Sequence, residues 1–229
     1  MLSVNCTTSH KVRLVSQAIN LPRGEESFNI RVKMMFRIIL IRSGTTEYDE
    51  QGRIQGTLDI PLSKDGRRKT DEVILTLSDE SIAAIYTSPC QSSKHVAKAL
   101  GDAKELKPKT LEKLQNLDHG LWQGMLVEDV KVKQPKVYRQ WQEQPETVCP
   151  PNGETVCAAK ARIANVLIRL AKKYKNGGQI AIVVPEPLHS LCRHVLRRDA
   201  LGDLWHATPS KETPAWERID VTPELIGAR

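Results

Sequence analysis

Hydrophobic positions in this chain fall into short unbroken runs separated by longer stretches that carry apolar residues at helical spacing. Ile38 to Ile41 is the first run, and it ends abruptly in Arg42, Ser43 and Gly44. An apolar run closed by polar residues and a glycine predicts a buried strand, here over 36–41, whose end opens into a loop. Further strands are predicted over 82–87 and, strongly β-branched, over 179–184; 106–111 reads as a short extended segment and 216–221 as a candidate edge strand. Helices are predicted over about 63–77, with Ser63 as N-cap, and over about 91–100, 127–142, 154–174 and 188–201. Pro135 is expected to kink or split the third of these, because it removes a helical donor. Glu154 is expected in the first turn of the long helix, where it complements the dipole. Residues 113–125 read as loop, and Pro145, Pro150-Pro151 and Asn152-Gly153 as a stiff connection. Strands alternating with helices predict an α/β protein with a mainly parallel sheet covered on both faces.

Composition narrows the class without changing that picture. At 229 residues the chain suits one large core, expected over 34–229; residues 1–33 show no sustained period and read as a disordered leader or a mis-assigned start. The five cysteines are scattered, odd in number and without a CxxC, which predicts a reduced cytoplasmic protein with no disulfide framework and no zinc site. No apolar run approaches a membrane span, so no membrane association is expected. The net charge of +7 is modest, and 1–33 carry five Lys/Arg against two Glu, removing three of those charges from the remainder. No basic stripe interleaved with aromatics remains, so no nucleic-acid surface is expected. Trp141, Trp205 and Trp216 read as packing residues.

In an open α/β sheet the loops after the strands line the ligand crevice, which places Arg42 and Ser43 where ligands bind. The stretch 36–70 then resembles the histidine phosphatase (phosphoglycerate mutase-like) superfamily. Its pattern Leu-x-Arg-His-Gly-Glu, an Asn-containing loop, Gly-Arg-x-Gln-Gly, Asp-x-Pro-Leu and a helix-opening Gly is met by Arg42, Gly44, Gly52-Arg53, Gln55-Gly56, Asp59, Pro61-Leu62 and Gly66. Three more blocks follow in order, so the resemblance runs from about 36 to 201 and implies a three-layer sandwich.

The resemblance also implies the chemistry and shows it altered. Family enzymes need a neutral imidazole to attack phosphorus, arginines and a second histidine to hold the oxygens, and an acid for the leaving group. Arg42 stands at the first arginine. Ser43 stands at the nucleophile, and a serine without an activating base is a poor one. Ser92 stands at the second arginine and cannot make its bidentate clamp; Lys94 and His95 turn away on the same helix. Asn116 replaces the acid, and an amide delivers no proton near neutral pH. Asp118 and His119 lie beside it, with loop stabilisation the preferred reading. Glu186 replaces the second histidine, and at roughly 4 Å and an effective dielectric near 20 its charge opposes a ligand anion by about 4 kcal/mol. An Arg42–Glu186 pair is therefore expected in the old phosphate place.

Arg42, Arg53, Gln55 and Glu186 are the expected ligand-binding residues. The resemblance with these losses implies a catalytically degenerate protein with a binding or regulatory role, a small-molecule or protein partner, no cofactor and no metal; a homodimer is compatible with it. The alternative is an active phosphomonoesterase or mutase using a constellation such as Ser43 with His119 or His189.

Overall fold

The computed structural model describes residues 36–198, 201, 204 and 215–221, all within the unit Lys33–Arg229. The leader expected over 1–33 and Trp205 lie outside the described residues. Five strands form one sheet in the order β3-β2-β4-β1-β5. They are β1 (Phe36–Arg42), β2 (Ala84–Thr87), β3 (Lys109–Thr110), β4 (Gly178–Val184) and β5 (Trp216–Val221). All neighbours run parallel except β5, which pairs antiparallel along the edge of β1.

The continuous apolar runs in β1 and β4 follow from burial on both faces. Ile38, Leu40, Ile180, Ile182 and Val184 share one core with α6 (Val156–Lys173), α7 (Leu188–Arg197) and Trp141 of α5 (Pro135–Glu143). Ile39, Ile41, Ala181 and Val183 point the other way, toward Val96, Ala97 and Leu100 of α3 (Gln91–Lys104) and Leu77 at the end of α2 (Lys64–Thr76). Odd and even residues of one strand thus serve two cores, making the three layers expected. Each such isoleucine is fully buried, which contributes about 1.5–3 kcal/mol.

Local signals set the helix boundaries. Ser63 Oγ accepts from the Gly66 N–H at 3.0 Å, as an N-cap should. The first turn of α2 presses on the loop after β1 so closely that a Cβ on Gly66 would lie 2.1 Å from the Thr45 carbonyl oxygen. Pro135 splits the helix predicted over 127–142 into α4 (Val127–Lys133) and α5, where it occupies the first turn and needs no donor. The long helix starts two residues later than expected. Thr155 is its N-cap and accepts from Ala158 N–H at 3.1 Å, so Glu154 lies before the helix and outside its first turn. An unexpected short helix, α1 (Glu47–Glu50), is closed by a capping box between Thr46 and Asp49. Helix α7 ends at Arg197, short of the expected 201, because Arg198 turns left-handed at φ 58°. The extended segment predicted over 106–111 pairs only at Lys109–Thr110, and the loop over 113–125 is tightened by 3-10 turns at Glu112–Leu114 and Gly120–Trp122. No helix among the described residues is long and apolar enough to cross a membrane.

Candidate functional site

The strand order brings three chain segments to one edge of the sheet. In register, Arg42 at the end of β1 faces Val184 at the end of β4, and Thr87 at the end of β2 faces Val183. The chain then leaves β1 with Ser43 N–H bonded to Val184 O at 2.9 Å and leaves β2 with Ser88 N–H bonded to Val183 O at 3.0 Å. Ser43, Ser92 and Glu186, far apart in sequence, therefore meet here. A recess at this point is lined by Arg42, Ser43, Gly44, Thr46, Asp49, Gln55 and Glu186, among others. Counted to its mouth it encloses about 290 Å³, but the centre of a water molecule can move through only about 20 Å³. That is little more than the room one water needs.

Glu186 is the best-held group in it. Its Oε2 accepts from Ser190 N–H at 3.2 Å and Ser190 Oγ at 2.9 Å. Its Oε1 lies 3.3 Å from His189 Nδ1 and 4.0 Å from an Arg42 guanidinium nitrogen. The side chain is 15% exposed. Burial alone would raise its carboxyl pKa; His189, Ser190 and Arg42 outweigh burial and hold it below the ordinary value. Burial in turn lowers the Arg42 guanidinium, against the attraction of Glu186 and Asp49. The expected Arg42–Glu186 pairing is present, at the long end of ion-pair distance.

The other altered positions are filled and tied. Ser43 and Ser92 are buried with their hydroxyls 3.5 Å apart, and Ser92 Oγ lies 3.4 Å from Cys90 Sγ. No base contacts Ser43 Oγ among the described residues. Asn116, 2% exposed, donates from one amide nitrogen to Gly56 O at 3.0 Å and Glu186 O at 2.9 Å. It clamps the loop over the recess to the tip beyond β4. Gln123 adds a second tie, accepting from both the backbone N–H and the hydroxyl of Thr57.

Gln55 lines the recess, with its side chain accepting from Thr46 Oγ1 at 3.1 Å and donating to Leu58 O at 3.2 Å. Arg53 does not join it. Its guanidinium is drawn to Gly124 O at 2.7 Å and Gln51 Oε1 at 2.9 Å, outside the lining. Asp118 supports its own loop by accepting from Gly120 N–H at 2.8 Å. That turn requires glycine: Gly120 has φ +50°, and a Cβ there would lie 2.0 Å from Pro151 O. His119 is buried against Trp141, and burial pushes its pKa down to about 3, so it carries no proton to give near neutrality. His189 faces Glu186, not Ser43. Glu154 bonds Arg162 at 2.6 Å and accepts from Asp118 N–H at 3.1 Å, bracing the loop that carries Asn116. Among the described residues no group of three or more His, Cys, Asp or Glu could hold a metal ion.

Sequence reasoning missed Asp49. Its Oδ2 accepts from Thr46 N–H at 2.7 Å and Thr46 Oγ1 at 2.8 Å, and the residue lines the recess. Burial pushes its carboxyl above the ordinary value, with Glu186 adding repulsion, against Thr46 and Arg42. A signal was present: where the resembled pattern has an Asn-containing loop, this chain has no asparagine between Gly44 and Gly52 but the acidic run Glu47-Tyr48-Asp49-Glu50.

The chain is similar in sequence and fold to known proteins. Phosphoserine phosphatase 1 of Hydrogenobacter thermophilus is 31% identical over 171 residues, covering 75% of this chain and 81% of that protein. A probable 2-carboxy-D-arabinitol-1-phosphatase of Arabidopsis thaliana is 33% identical over 110 residues, 48% of this chain and 23% of that longer protein. The solved structure of Bacillus stearothermophilus YhfR superposes with a TM-score of 0.72 at 21% identity, covering 82% of this chain and 92% of that one, and so shares the fold. The pattern of the histidine phosphatase superfamily (branch 1) matches residues 38–219, and the chain belongs to that superfamily.

Proposed function

We propose that this protein is a catalytically degenerate histidine phosphatase, a pseudophosphatase that keeps the fold for binding or regulation. The observation carrying this reading is the Glu186 carboxylate, held by Ser190 and His189 and turned to Arg42 at the position of the family's second histidine. Phosphoryl transfer needs a nucleophile, an oxyanion clamp and an acid together. Ser43 has no base beside it, Ser92 makes no clamp, and Asn116 is an amide committed to two carbonyls. The small recess favours a modest ligand or a protein partner over a phosphorylated metabolite. Arg42, Gln55 and Glu186 are its contact residues; Arg53 serves as a loop tie. The four free cysteines among the described residues support a reducing, cytoplasmic setting.

The test is turnover of a panel of phosphomonoesters, with phosphoserine included because of the Hydrogenobacter relative. The natural protein is assayed beside a variant carrying Ser43→His, Ser92→Arg, Asn116→Glu and Glu186→His. No turnover by the first and measurable turnover by the second is the expected result. Turnover by the natural protein that Arg42→Ala abolishes would establish the alternative, an active phosphatase of unusual constellation.

A further inference from the structure

Glu186 is bonded the way a bound anion would be. A free oxyanion in this position would be met by a guanidinium, a hydroxyl and a backbone N–H from the first turn of a helix, the usual chemistry of anion sites. The Glu186 carboxylate takes the hydroxyl and backbone N–H of Ser190 through one oxygen and faces His189 and Arg42 with the other. Ser190 lies in the first turn of α7, a helix of ten residues. The carboxylate is also nearly enclosed, and the space left beside it holds about one water. We infer that Glu186 is a built-in anion, which occupies the remaining oxyanion donors of the recess (Ser190, His189 and Arg42) and makes it refuse phosphate and sulfate. It is thereby the residue that sets which ligand charge the recess accepts.

Asp49, another acidic residue of the lining, reinforces the refusal without occupying the same place. Its carboxylate is tied to Thr46 and has no bond to Ser190 or His189. The two acidic residues therefore make different predictions. Removing Glu186 vacates donors, whereas neutralising Asp49 changes only the surrounding field. This inference rests on the binding reading above, but it concerns occupancy and not turnover.

Sulfate is the probe, because it is a tetrahedral dianion with no bond for a phosphatase to break. Its titration therefore reads the charge preference even if the natural protein proves catalytic. Calorimetric and thermal-shift titrations would compare the natural full chain with Glu186→Ala, Glu186→Ser and Asp49→Asn, each against sodium chloride of equal ionic strength. The truncations should bind sulfate at least tenfold more tightly than the natural protein and be stabilised by it specifically. Adding Arg42→Ala should abolish that gain, and Asp49→Asn alone should give little of it. Should Glu186→Ala fold only when sulfate is present, that rescue also supports the inference. Equal sulfate affinity in the natural and truncated proteins would overturn it. So would a gain from Asp49→Asn as large as that from Glu186→Ala, since net charge and not occupancy would then be responsible.

Discussion

His119 tests whether the loop beside the recess can supply a proton. The imidazole is 2% exposed, its ring tilts against Trp141 at a centroid separation of 5.3 Å, and Nδ1 has no hydrogen-bond partner among the described residues. Burial alone pushes its pKa from 6.5 down to about 3. The unfolded chain takes up a proton as pH falls through the ordinary value, whereas the folded protein resists until the depressed one. Below the ordinary value the unfolded state therefore binds more protons, and stability is lost as the pH is lowered. At 1.36 kcal/mol per unit, acidification from about pH 7 to about pH 5 costs about 2 kcal/mol through this one residue. His119→Phe keeps a ring against Trp141 and removes the titrating group. Urea unfolding of both proteins across that interval should show the variant losing about 2 kcal/mol less than the natural protein. Equal losses would refute the reasoning. An NMR titration of the His119 ring with an ordinary midpoint would refute it too, and would restore His119 as an acid for the enzyme reading.

Two further outcomes follow from the ties around the recess. Asn116→Ala leaves the Gly56 and Glu186 carbonyls without their donor and should lower stability by about 1–3 kcal/mol in urea unfolding; Asn116→Asp, which sets an anion against two carbonyls, should cost more. Arg162→Met removes the bonds to Glu154 and to the carbonyls of Lys113 and Asn116. Hydrogen bonds to charged groups contribute about 1.5–3 kcal/mol each at best, and the pair is about one-fifth exposed, so a total loss near the lower end is expected, with faster hydrogen exchange in the loop carrying Asn116.

Much of this molecule could be read before folding because the signals are local. The runs at 38–41 and 180–184 are continuously apolar, as a strand buried on two faces requires. Ser63 announced its helix through a bond reaching three residues, and Pro135 divided another because its ring admits no donor. The resemblance to the family's motifs implied the substitutions at Ser43, Ser92, Asn116 and Glu186, and with them the charge reversal. The resemblance and the opposite charges let the Arg42–Glu186 pairing be anticipated, and the structure supplied the strand order that puts the two loops at one edge.

What needed the tertiary structure was the direction of side chains whose partners are distant in sequence. Asn116 reads as a lost acid; only the fold makes it a clamp, because Gly56 and Glu186, sixty and seventy residues away, converge on its amide. Arg53 and Gln55 are two residues apart in one loop, yet one points to Gly124 and the other into the recess. Asp49 became a site residue through the capping box that turns α1 inward, and Glu154 lost its helical position but gained Arg162. Periodicity and caps are settled by neighbours a few residues away. The choice among competing partners across a closed recess is settled by which carbonyls and carboxylates the assembled sheet leaves within 3 Å or so of each donor, and no local pattern encodes that distance.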